Sequence, residues 1–177
     1  DAGEGGNVVI GNEAGNAINN AAADHNVIIG ISAGQGGTGA MAQCVAIGKG
    51  AMNSTSSNAQ TGTVAIGSDA LTALTSGASN TAVGYQALDL IKDGGYNTAV
   101  GWNALTASPE AGSHNTAIGY NALAAHNVDG DGRNTAIGSS AGEDITSGTK
   151  NIAIGKNALA TATTALSVVA IGDSAMG

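Results

Sequence analysis

Apolar and polar positions follow one short pattern that returns ten times along the chain. The pattern is an apolar triplet, Gly, two variable residues, then Ala and usually Leu or Met: NVVIGNEAG, NVIIGISAG, CVAIGKGAM, TVAIGSDAL, NTAVGYQAL, NTAVGWNAL, NTAIGYNAL, NTAIGSSAG, NIAIGKNAL and VVAIGDSAM. Its glycines are Gly11, Gly30, Gly48, Gly67, Gly84, Gly101, Gly119, Gly138, Gly155 and Gly172, spaced 17 to 19 residues apart. Such regular self-similarity predicts a solenoid, one coil per repeat. A stiff, repetitive surface is expected rather than a pocket.

Within a coil, Thr116–Gly119 is short, β-branched and alternating, and predicts a strand. Period two puts Thr116 and Ile118 on one face and Ala117 and Gly119 on the other. The Ile/Val rank (Ile10, Ile29, Ile47, Ile66, Val83, Val100, Ile118, Ile137, Ile154, Ile171) is expected to fill the coil, each buried side chain contributing roughly 1.5–3 kcal/mol. The Ala/Gly face is then expected to pack against sister chains, since small residues let backbones approach closely and a solenoid this narrow buries little surface alone.

Asn recurs four residues before the Gly, at Asn7, Asn26, Asn80, Asn97, Asn115, Asn134 and Asn151. Stacked at the ~4.8 Å strand spacing, these amides predict a structural ladder. The following Ala-Leu pairs (Ala87-Leu88, Ala104-Leu105, Ala122-Leu123) turn inward again, as a second short strand or as one helical turn. Residues 85–94 read as more helical than extended. The remaining residues of each coil, rich in Gly, Ser, Thr, Asn and Asp, are loops. Ten coils span roughly 48 Å. Residues 1–177 are expected to be a single repeat solenoid, and because the pattern starts and stops without polar caps or an initiator Met, a segment of a longer fibre protein.

Composition sharpens this picture. There is no Phe, and Tyr85, Tyr96, Trp102 and Tyr120 are the only aromatics, so an ordinary globular core is excluded. The net charge is −8 with five Lys and Arg, against the clustered basic residues of nucleic-acid binding. No apolar run approaches the ~18 residues of a membrane span. The single Cys44 excludes an intrachain disulfide and reads as a small buried filler at a position where Asn often stands.

The phrase N-T/S-A-I-G-x-x-A resembles the head repeats of trimeric autotransporter adhesins, and is similar to repeats in bacteriophage tail fibres; the resemblance covers all ten coils, from Gly11 to Met176. It implies an all-β, left-handed parallel β-roll packed as a homotrimeric fibre, with the coils here longer than typical adhesin head repeats. The function it implies is that of a phage tail fibre shaft or head, extracellular on the virion, partnered by other fibre or tail proteins and positioning receptor binding at the bacterial surface. The alternatives are a bacterial trimeric surface adhesin that binds matrix or glycans, and an ice-binding or polysaccharide-active solenoid.

Several residues suggest local chemistry. Tyr85, Trp102 and Tyr120 each follow the Gly in consecutive coils and predict an aromatic column. Such a column suits sugar rings, but repeat geometry also makes structural stacks and intersubunit contacts without a ligand, and that reading carries more weight. Asn127, Asp129 and Asp131 alternate as in a calcium loop, with Gly132 sixth, but the twelfth position is Gly138 rather than a bidentate Glu. No other cofactor is expected. Gly34-x-Gly36-x-x-Gly39 has dinucleotide-binding spacing without the surrounding crossover unit, and is a loop. Thr81, Thr98, Thr116 and Thr135 resemble an ice-binding rank, but share a face with Val and Ile and are expected inside. His25, His114 and His126 lie in loops without an evident nucleophile or acid partner, and Glu110, Glu143 and Asp144 form no evident pair, so no enzyme is expected.

Overall fold

The computed structural model describes residues 5–16, 18, 23–36, 41–53, 60–107 and 112–177. Each repeat contributes one three-residue strand: β1 (Val8–Ile10), β2 (Val27–Ile29), β4 (Val45–Ile47), β6 (Val64–Ile66), β7 (Thr81–Val83), β8 (Thr98–Val100), β9 (Thr116–Ile118), β10 (Thr135–Ile137), β11 (Ile152–Ile154) and β12 (Val169–Ile171). These form one ten-stranded parallel sheet. Two short strands, β3 (Met41–Ala42) and β5 (Gln60–Thr61), pair in a second sheet. The register places like on like: Thr98 pairs with Thr116, Ala99 with Ala117 and Val100 with Ile118. The protein is an all-β parallel solenoid, with no helix among the described residues.

The two strand faces are as alternation predicts, but their orientation is the reverse of expectation. The central Ala is buried in every rung from β4 on: Ala46, Ala65, Ala82, Ala99, Ala117, Ala136, Ala153 and Ala170. The Ile/Val rank faces outward, with Ile118 and Ile137 each 37 % exposed and Ile154 half-buried. The Thr rank of Thr81, Thr98, Thr116 and Thr135 lies on the same outer face.

Volume explains the inversion. Leu71, Leu88, Leu105, Leu123 and Leu159 enter the coil from the Ala-Leu turns and are buried. A coil this narrow holds one large side chain at that level, so the strand supplies the small partner. The first two rungs exchange these roles. Val9 and Ile28 stand at the strand centre, and Gly15 and Gly34 stand where Leu would be. A Cβ on Gly34 would meet Ile28 Cδ1 at 3.1 Å, and one on Gly15 would meet Val9 Cγ1 at 3.0 Å.

The Ala-Leu piece is neither strand nor helix. Alternate residues adopt the left-handed conformation: Gln86 (φ 52°) and Leu88 (φ 54°), Asn103 and Leu105 (both φ 52°), Asn121 and Leu123 (both φ 52°). This costs local strain, and the hydrogen bonds show what offsets it. Gln86 N–H donates back to Ser68 O at 3.1 Å, whereas Leu88 N–H donates forward to Ala104 O at 3.1 Å. The turn thus bonds to both neighbouring coils, which a helix with its i−4 bonds cannot do. The helical expectation for residues 85–94 fails for this reason.

The Asn ladder is present as hydrogen bonds. Asn97 donates its backbone N–H to Asn80 Oδ1 (3.0 Å) and its Nδ2 to Gly112 O (2.8 Å). Its Oδ1 in turn accepts from the Asn115 N–H (2.9 Å) and Asn115 Nδ2 (3.2 Å). One side chain therefore closes its own coil and fixes the next. Asn134 and Asn151 repeat the arrangement, donating to Gly148 O (2.8 Å) and Ala165 O (2.6 Å). Cys44 and Thr63 interrupt the amide series: Cys44 N–H still donates to Asn26 Oδ1 (2.9 Å), while the buried Thr63 Oγ1 has no hydrogen-bond partner.

Behind each strand the repeat Gly sits at φ between 128° and 140°. A Cβ on Gly101 would land on the carbonyl oxygen of Gly119, and the same overlap recurs from Gly11 through Gly155. Gly172, in the last rung, would meet only Ala175 Cβ at 3.9 Å. Gly101→Ala is predicted to lose about 2–4 kcal/mol through φ strain and overpacking together. Gly172→Ala should lose the φ strain alone, about 1–3 kcal/mol, so urea unfolding should rank it as the milder change. The volume exchange gives a second prediction. Ala117→Ile should destabilise by about 1–3 kcal/mol. Adding Leu123→Gly, which copies the Ile28/Gly34 rung, should recover part of that loss, with a coupling of about 1 kcal/mol or more in a double-mutant cycle.

Candidate functional site

The sheet's outer face carries an apolar Ile/Val rank over its whole length, beside a second rank that is Thr at Thr81, Thr98, Thr116 and Thr135. It is bordered by one column of side chains before the strands and another after them. The column after the strands holds the residue that follows each repeat Gly, and it contains Tyr85, Trp102 and Tyr120 in adjacent rungs. Tyr85 and Trp102 have ring centroids 5.1 Å apart at 61°, and Trp102 and Tyr120 are 6.4 Å apart at 60°. Edge-to-face contact at these separations is what the ring quadrupoles favour. The rings remain 43 %, 56 % and 52 % exposed. The structure therefore brings together the three aromatics expected to align, with about half of their area still facing water.

The other border is formed by the residue just before the ladder position. It includes His25, Gln43, Ser79, Tyr96, His114, Arg133, Lys150 and Ser167, all left-handed with φ between 52° and 61°. Tyr96 and His114 stack at 5.1 Å and 9°. His114 Nδ1 lies 2.8 Å from Asp131 Oδ1, and Arg133 Nη2 lies 2.6 Å from Asp131 Oδ2. The Arg133 guanidinium first, and His114 second, hold the Asp131 carboxyl below its usual range. The sequence reading missed this surface cluster; aligning the residue before each ladder position finds Tyr96, His114 and Arg133 but not Asp131.

The calcium expectation rests on Asn127, Asp129 and Asp131. Both Asp131 oxygens are turned to Arg133 and His114, and the Asn127 N–H is bonded to Thr146 O at 2.8 Å. Among the described residues, no three His, Cys, Asp or Glu side chains gather in a set able to hold a metal ion. Of the three expected ligands, Asp131 is already engaged by the side chains of its own surface cluster. Gly34 and Gly36 precede residues 37–39, which lie outside the described residues, as does Glu110. Glu143 accepts from Asn121 Nδ2 at 3.0 Å, while the Asp144 N–H donates to Ala160 O at 2.9 Å. Cys44 is buried, and burial pushes its thiol up.

His126 was expected in a loop, yet it is fully buried. It occupies the level that Leu74, Ile91 and Ile145 fill in other coils, each seven residues after its repeat Gly. Nε2 lies 3.5 Å from Asn134 Nδ2, and Nδ1 is buried without a hydrogen-bond partner. Burial lowers its pKa against a smaller opposing effect of the Ile145 backbone, and so favours the neutral ring in the folded chain. Its contribution is complete above the unfolded-state value of about 6.5 and is lost as pH falls below that value, where the unfolded chain gains a proton that the folded chain resists. His126→Leu is predicted to shrink the fall in melting temperature between pH 7.5 and pH 5.5 (each value about ±0.2), as followed by circular dichroism.

No family model, curated protein or solved structure matches this chain, so its function has to be argued from the geometry itself.

Proposed function

We propose that this solenoid is a structural segment of a homotrimeric extracellular fibre, the shaft or head of a phage tail fibre that positions receptor binding at the bacterial host surface. The observation that carries the reading is the outer sheet face. One rank of Ile and Val stands in register over ten parallel rungs, roughly 48 Å long, and its side chains are half-buried to exposed where a coil interior would bury them. The sister-chain surface is thus the Ile/Val face and not the Ala face, which the coil interior uses. The resemblance of the repeats to adhesin heads and tail fibres points the same way. The role is mechanical: continuous backbone ladders stiffen the rod, and three copies multiply weak contacts at its end.

The outward Thr rank supports a second reading, an ice-binding face on a single chain. Oligomeric state separates the two. The prediction is a particle of about three times the 16.8 kDa chain mass in mass photometry and sedimentation. Val100→Asp with Ile118→Asp should reduce it to single chains that keep their strand signature in circular dichroism. A wild-type chain that stays monomeric at micromolar concentration would defeat the fibre reading, and thermal hysteresis would then test the Thr rank.

A further inference from the structure

We propose that the Tyr85–Trp102–Tyr120 column is a binding platform for a linear polysaccharide lying along the solenoid axis. The ten repeats supply an internal control for this assignment. The residue after the repeat Gly is Asn12, Ile31, Lys49, Ser68, Ser139, Lys156 or Asp173 in the other coils, polar in all but one. The neighbouring Ile/Val rank, by contrast, stays apolar from Ile10 to Ile171. A general chain-to-chain contact would ask for apolar residues at every level, as the Ile/Val rank shows. The aromatics are confined to three adjacent levels, which points to something local and shorter than the fibre.

The geometry fits pyranose rings. The three rings rise one rung at a time with centroids 5.1 and 6.4 Å apart, on the scale of one sugar unit in an extended polysaccharide. Half-exposed and inclined at 60–61° to their neighbours, the rings offer apolar area on which C–H faces of sugars can rest, and the edge-to-face contacts hold each ring in place. Such rigid aromatic side chains give large contact area at low entropic loss. The column continues to the hydroxyls of Ser68 and Ser139 and then to the exposed Lys49 and Lys156. The Ser68 hydroxyl already donates to Asp69 Oδ2 at 3.1 Å, so Ser139 and the two lysines are the donors offered to sugar hydroxyls and acidic substituents, with one lysine at each end of the stacked segment. Two of the five basic residues of this acidic chain stand in the column.

The inference goes beyond the fibre reading and holds for one chain or three. Trp102 is the only Trp, so its fluorescence reports on the site directly. Wild-type protein titrated with cellohexaose, alginate hexamers and hyaluronan hexamers should show a saturable change in Trp102 emission with at least one of them, with Kd of about 1 mM or tighter. Tyr85→Ala and Tyr120→Ala should each weaken that binding about three- to tenfold, while Lys92→Ala, outside the column, should leave it unchanged. The proposal falls if all three sugars leave the emission unmoved. It also falls if Trp102→Ala changes the particle mass seen for the wild type, because the column would then be a contact between chains.

Discussion

The spacing between consecutive coils governs everything else in this fold. At each level the backbone of one repeat Gly sits against the carbonyl of the next, with no room for a Cβ between them. That approach keeps three-residue strands in uninterrupted parallel register. It also lets the turns reach hydrogen-bond partners on both sides, which sustains left-handed leucines that would be unfavourable in isolation. The asparagines then serve as latches between levels, each satisfying groups in two coils at once. A residue's surroundings are set less by its sequence neighbours than by its counterparts one coil above and below.

The period, the strand position and the Asn ladder were legible in the sequence because each depends on repetition alone. The orientation of the strand faces was not. Alternation separates Ala117 from Thr116 and Ile118 without saying which side is interior, and the usual ranking of side chains by size pointed the wrong way. The deciding quantity was cross-section, since a coil that already contains Leu123 has room only for Ala117. The exchange of Ile28 with Gly34 and Val9 with Gly15 recorded that limit in the sequence, in two residues six apart. The helical expectation for residues 85–94 failed because helix propensity ignores bonds between coils.

The candidate site divides in the same way. Tyr85, Trp102 and Tyr120 were found because they share a repeat position, and stacking follows from register. The Tyr96, His114, Asp131 and Arg133 cluster escaped notice because Asp131 lies outside the repeated phrase and meets His114 only once two loops are stacked. His126 escaped because its loop carries one more interior level than the phrase suggests, and there the chain puts an imidazole at a level that Leu74, Ile91 and Ile145 fill in other coils.

The interruption of the amide series at Cys44 and Thr63 has a consequence for how the rod comes apart. In a stack held by nearest-neighbour contacts, rupture begins at the weakest junction and runs outward from it. The buried Thr63 hydroxyl is unpartnered there, and a second short sheet, with Gln60 Nε2 reaching Thr75 O at 3.1 Å, takes over the latching role. Rupture at this junction therefore has to break the backbone pairs of the second sheet and the Gln60 contact rather than an amide relay, while the main sheet runs through it unbroken.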